Sequence, residues 1–223
     1  MSINEIANIV AGGIITILVT ISVEVLRRPK LRMAPANATD VTYGGDRPAT
    51  TGRYLGVDLV NEPLPWFARW MSRGAALQCS GIITFHNLDG QRFFAREMPV
   101  RFARTPEPVP VQLRVGEAII AFFDPSRASA ESRIDVYPGE STALDVAVKF
   151  DSEEEAYGWS NLNYFSTPPW RNTDWKLPRG RYLVAITISS SGQKCRGVFR
   201  LLNEAGPMDF RLEPALPTDK VRP

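Results

Sequence analysis

The sequence predicts a mainly β protein: one N-terminal transmembrane helix followed by an antiparallel β-sandwich. Three observations predict it. An uncharged, proline-free run from Ile6 to Val23 leads into a basic cluster, Arg27, Arg28, Lys30 and Arg32. Beyond that cluster, short apolar-alternating runs are separated by turn signals, as in antiparallel sheets. Amphipathic helical periodicity is almost absent there.

The anchor comes first. About 18 uncharged residues make a helix of roughly 27 Å, close to the hydrocarbon thickness of a bilayer. A cleaved signal peptide needs positive charge before the run and a small-residue site after it. Met1 to Glu5 carries no Lys or Arg, and V-E-V-L-R-R-P is a poor cleavage site. A core helix apolar on every face is unusual, so the span reads as retained. Its cations lie after it and none before, which places the following domain in the cytoplasm by the positive-inside rule. Arg27, Arg28, Lys30 and Arg32 also meet anionic headgroups, at about 1 kcal/mol each. Asn8, Gly12, Thr16, Thr20 and Glu24 recur every four residues. Gly12, Thr16 and Thr20 thereby offer a self-association stripe, by close approach and by hydrogen bonds across the contact; chance spacing is the alternative.

The 223 residues hold 26 basic and 24 acidic side chains. Setting aside Glu5 and Glu24 leaves 26 against 22, an excess that the basic cluster supplies. Nothing in this charge asks for nucleic acid, which draws a strongly basic face. Roughly 195 residues remain after the anchor, enough for one large domain or two small ones. Cys79 and Cys195 are too few for a disulfide framework and sit in apolar strand-like runs. They read as reduced, buried thiols; a Cys79–Cys195 bridge, implying the opposite orientation, is the rival.

The parsing is an anchor with basic flank over 1–29, a sandwich over 30–203 and a Pro-rich, partly ordered tail over 204–223. Leu31 and Met33 alternate with polar neighbours in a first strand, and 35–52 is a loop or linker. Arg53 to Asn61 is a strand with Leu55, Val57 and Leu59 on one face. Trp66, Phe67, Trp70 and Met71 have the spacing of one or two helical turns. Their rings either dock on the sandwich, the favoured reading, or dip into the membrane interface beside Arg69 and Arg73. Ala76 to His86 is a strand with Leu77, Cys79, Ile83 and Phe85 inward. Asp89-Gly90 turns it into a returning strand over Arg92 to Glu97. Short strands follow at Val100–Ala103, Val109–Arg114, Ala118–Phe123, Ser132–Tyr137 and Leu144–Phe150. In the last, Leu144, Val146, Val148 and Phe150 point in, Asp145 and Lys149 out. After a polar-aromatic loop from Asp151 to Pro178, a closing hairpin joins Arg181–Ser189 to Lys194–Asn203 around Ser191-Gly192.

With these elements placed, R-P-K-L-R-M, Y-L-G-V-D-L-V-N, A-L-Q-C and G-R-Y-L-V-A-I-T-I behind a single span resemble a loose group of prokaryotic membrane-anchored proteins. The resemblance implies an immunoglobulin-like sandwich and a prokaryotic inner or plasma membrane. It carries no activity, and W-F-A-R-W-M lies outside it.

Catalytic signatures are scarce. No G-x-S-x-G elbow, P-loop or G-x-G-x-x-G occurs. His86, the single histidine, sits beside a hairpin turn as an exposed structural residue, roughly 23 Å along the strand from Cys79. Zinc would need both distant cysteines, His86 and a carboxylate. Asp151 to Glu155 lacks EF-hand spacing. No cofactor is implied. A carboxylate pair for hydrolysis is not nominated by any motif. The strongest candidate binding surface is aromatic: Tyr157, Trp159, Tyr164, Phe165, Trp170 and Trp175, interleaved with Asn161, Asn163, Arg171 and Asn172. Such planes beside amides suit sugars, peptides or partner proteins; a satellite core under the loop is the alternative. The leading function is therefore a membrane-anchored, non-catalytic interaction module that meets lipids, a protein partner and, through its anchor, a second copy. A membrane-tethered hydrolase, or a protein binding carbohydrate or lipid surfaces, is the other reading.

Overall fold

In a computed structural model, described over residues 3–43, 50–108, 111–115, 118–122, 132–168, 170–191, 193–206 and 209–222, a long helix leads into a mainly β body. Helix α1 spans Ile3–Arg27. Its segment Val10–Arg27 is long and apolar enough to cross a membrane, and none of it is buried against the body. Arg27 complements the negative end of the helix dipole, and Pro29 lies where a helix has already stopped.

In chain order the strands are β1 (Leu31–Pro35), β2 (Thr39–Tyr43), β3 (Thr50–Asn61), β4 (Ala76–His86), β5 (Met98–Pro99), β6 (Arg101–Phe102) and β7 (Val111–Val115). Then come β8 (Ala118–Phe122), β9 (Ile134–Val136), β10 (Ser141–Phe150), β11 (Ala156–Gly158), β12 (Lys176–Leu177), β13 (Gly180–Ser190), β14 (Gln193–Asn203) and β15 (Phe210–Pro214). One antiparallel sheet runs β1-β3-β10-β11-β12, with β2 also on β3 and β6 also on β10. The other runs β15-β14-β13-β4-β5, with β9 also on β4. Strands β7 and β8 pair with each other. Leu55, Val57 and Leu59 of the first sheet share one buried core with Ile83, Phe85, Ile186 and Ile188 of the second. Each such side chain contributes about 1.5–3 kcal/mol by leaving water.

Several expectations are corrected. The 35–52 stretch is not only a loop: β2 pairs with β3 from Thr39↔Tyr54 to Tyr43↔Thr50, and Arg53 bonds Asp40 across the pair. A polar edge strand shows no apolar alternation, so its pattern was silent. Residues 44–49 lie outside the described residues. Arg92 to Glu97 forms no returning strand; a single bridge joins His86 to Arg92, and regular pairing to β4 resumes only at Met98 and Pro99. Strands expected at Val109–Arg114 and Ala118–Phe123 are seen as β7 and β8, with Val109 and Phe123 outside the described residues, as is Gly192 of the last turn. The long loop contains β11, β12 and two 3₁₀ turns, Asn161–Phe165 and Thr173–Trp175. The stretch after Glu204 adds the edge strand β15, and Arg200 then clamps Asp219 at 2.6 and 2.7 Å.

Two bulges reverse facing. In β4 the register slips between Ala76 and Cys79, with Gln78 at φ +51°. Ala76 and Cys79 are both buried, and Leu77, expected inward, is exposed. In β10 the register slips between Asp145 and Ala147. One extra residue flips everything after it. Val148 and Phe150 therefore leave the main core for a cluster with Tyr157 and Trp159. Lys149, expected outside, is buried, and its Nζ donates to Asn203 Oδ1 (2.9 Å) and Glu204 O (2.8 Å).

Candidate functional site

The end of α1 is stitched into the body. Asn61, fully buried at the end of β3, accepts from Lys30 N (3.1 Å) and donates to Gly74 O (3.0 Å) and Val136 O (3.1 Å). Gly74 N donates to Arg27 O (2.6 Å), and Arg73 Nη1 donates to Arg28 O (2.7 Å). Glu62 N donates to Lys30 O (2.9 Å), while its carboxylate meets Lys30 (2.7 Å) and Arg32 (3.8 Å). The Lys30 ammonium holds the Glu62 carboxyl below its ordinary range. The connection from β3 to β4 is thereby held against the helix end.

Upon that connection, Trp66–Ala68 forms a 3₁₀ turn held by buried Leu64 and Ala68. Trp66 and Trp70 are each 80 % exposed, and Phe67 is exposed as well. These rings do not dock on the body, which corrects the favoured expectation. They stand on a connection that is bonded to the basic end of the helix at Glu62 and at Gly74. Arg27, Arg28 and Arg69 are exposed there, as are Lys30 and Arg32, whose charge is shared with Glu62. Along the helix, Thr16 Oγ1 donates to Gly12 O and Thr20 Oγ1 to Thr16 O, both at 2.9 Å. Those hydroxyl protons are used within the helix, so the stripe offers close approach rather than hydrogen bonds across a contact.

The aromatic segment is a built element. Asn163, fully buried, accepts from Ser160 N (3.0 Å) and donates to Gly158 O (2.9 Å), closing a capping box on the 3₁₀ turn. Tyr157 and Trp159 are buried in the outer cluster, and Trp175 in the main core. Tyr164 and Trp170 are only half-buried and pack against the outer cluster. The rings proposed as a contact surface thus serve chiefly as a second core.

Beside that cluster, on the outer face of the first sheet, lies a cavity of about 310 Å³. Ala36, Gly56, Ala103 and Ala143 are its small lining residues, with Tyr54, Trp159 and Tyr164 as aromatic walls. Arg101 and Asp145, paired across β6 and β10, also line it. Arg101 is 5 % exposed; its Nη2 donates to Thr105 O (3.0 Å), its Nε is buried without a partner, and its guanidinium lies 5.7 Å from the Tyr164 ring centre. Burial pushes the Asp145 carboxyl up, against the pull of Arg101. This pair was missed in the sequence because its members lie 44 residues apart. The only local hint was the odd apolar triplet Val146-Ala147-Val148 that marks the bulge.

The residues weighed for catalysis are dispersed. Cys79 and Cys195 are free, and burial raises both thiols. Strand β13 runs between their strands, so their Cα atoms are at least two strand spacings, roughly 10 Å, apart, beyond disulfide reach. His86 is 2 % exposed, not a surface residue, with Nδ1 3.1 Å from Gly90 O and Nε2 2.9 Å from Thr84 Oγ1. Asp40, Asp145 and Glu153, which line cavities, are held by Arg53, Arg101 and Arg171. Among the described residues, no three His, Cys, Asp or Glu side chains gather as a metal site. No family model, curated protein or solved structure matches the chain.

Proposed function

We propose that this chain is a non-catalytic interaction module: an immunoglobulin-like β-sandwich anchored by one span and seated on the cytoplasmic face of a prokaryotic inner or plasma membrane. The observation that carries the reading is the stitched helix end, which bonds the connection carrying exposed Trp66, Phe67 and Trp70 to the backbone of Arg27 and Arg28. Indole rings are favoured at headgroup depth, and exposed arginines add attraction to anionic lipid. A seated domain presents its loops to a protein partner at a fixed height instead of swinging on a tether. The cytoplasmic side rests on the cation count and agrees with two thiols that form no bond.

The side is tested with Thr218→Cys, an exposed position, in a Cys79→Ala, Cys195→Ala background. Intact cells are treated with a membrane-impermeant maleimide. Labelling only after permeabilisation is expected; labelling of intact cells overturns the cytoplasmic placement.

A further inference from the structure

We propose that the cavity on the outer face of the first sheet binds one neutral pyranose unit. This goes beyond the membrane-seating reading and does not depend on it. Gly56 lies five residues along β3 from Asn61, roughly 17 Å up the strand from the helix end, so the cavity stands clear of the stitched foot.

Charge decides the ligand class. Arg101 and Asp145 neutralise each other. Glu107 is left as the uncompensated charge of the lining, so an anionic ligand is repelled, and it is exposed to solvent, which screens its pull on a cation. A neutral ligand needs no counter-charge from this lining. Hydrogen-bonding capacity then narrows it. Arg101 reaches one oxygen of Asp145, and among the described residues no donor reaches the other, Oδ1. Asp145 is half-buried and lines the cavity, so Oδ1 is open to a donor from a ligand, and a hydroxyl is a neutral one. Asn37 and Thr39 in the same lining suit further hydroxyls.

Shape supplies the rest. Tyr54 and Trp159 pack edge to face at 5.1 Å, and Trp159 and Tyr164 at 5.4 Å, forming a continuous aromatic wall. The C–H face of a sugar ring is apolar and suits such a wall, while its rim of hydroxyls suits Asp145 and Asn37. The lining opposite stays low. A Cβ at Gly56 would come within 2.9 Å of Leu144 O, so no side chain is accommodated there without a backbone shift.

The test is saturation-transfer difference NMR on the full chain in a detergent without a sugar headgroup. The probes are methyl glycosides of glucose, galactose, mannose and N-acetylglucosamine, with glucuronate and glucosamine as charged controls. At least one neutral glycoside is expected to give transfer at millimolar concentration, strongest at its ring C–H protons. Ala143→Phe, which fills the cavity, should abolish it while circular dichroism stays unchanged. Asp145→Asn should weaken it about tenfold, the worth of one hydrogen bond to a charged acceptor. No transfer from any neutral probe overturns the proposal. So does transfer that survives Ala143→Phe in a folded protein, or charged probes that bind as well as neutral ones. Should Ala143→Phe fail to fold, an unchanged affinity in Asp145→Asn is the overturning result.

Discussion

Asn61 shows what a single side chain does in this molecule. Its amide holds Lys30, Gly74 and Val136 together, three backbone segments remote in sequence. In the strand pattern it is only the last residue of the run, two before Pro63, because a side chain's distant partners leave no local trace. His86 was misread for a related reason. Beside a turn it reads as exposed, yet the C-terminal stretch returns to cover that turn: Arg222 N donates to Gly90 O (2.9 Å), and a Cβ at Gly90 would collide with Lys220 O. Burial lowers the His86 imidazole below its ordinary value, with Arg92 and Arg196 acting in the same direction and Gly90 O against them. A depressed value means that the folded state binds the proton more weakly than the unfolded one. His86 therefore supports stability fully above pH about 6.5 and less as pH falls through its folded value. Thermal melts should show wild-type stability declining from neutral to mildly acidic pH, with His86→Gln flattening that decline. Equal slopes in the two proteins would count against the assignment.

At the scale of elements, legibility followed regularity. Strands β3, β13 and β14 were read within a few residues because their apolar alternation is unbroken or their hairpin closes on a short turn. Strands β4 and β10 were placed but misfaced. An alternation count assumes a constant period, and each strand inserts an extra residue, after Ala76 and after Asp145. The A-A-L-Q-C and V-A-V runs are where the count fails. Strand β15 was missed because the many prolines around it signal a tail, although Phe210 itself is fully buried. The helix was the most legible element, and its stripe can be tested cleanly. A Cβ at Gly12 meets nothing within 4 Å, so Gly12→Ile leaves one helix unstrained and obstructs only a neighbour. In a membrane two-hybrid assay the variant should lose most of the wild-type self-association signal. An undiminished signal would remove the stripe from the account.

For the whole molecule, the two candidate surfaces differ in how far they could be read ahead. The stretch proposed as the foot of the domain is continuous in sequence, since the apolar helix, the cations and W-F-A-R-W-M all fall in the first 71 residues. What the sequence left open was whether those rings pack inward, and their exposure on a connection bonded to the helix end answers that. The cavity was not legible, because β3, β6 and β10 and the 3₁₀ turn after β11 each bring a part of it from a different region of the chain. The central claim is that the body sits on the bilayer through Trp66 and Trp70. Tryptophan fluorescence of the full chain in proteoliposomes, with lipids brominated at shallow or deep acyl positions, tests it most directly. Of the other three tryptophans, Trp159 and Trp175 are buried in the body and Trp170 is half-buried against its outer cluster, a background common to both proteins. Strong quenching by shallow bromines, weaker quenching by deep ones, and loss of both in Trp66→Ala, Trp70→Ala is the expected result; equal, weak quenching of the wild type and this variant would contradict the seating.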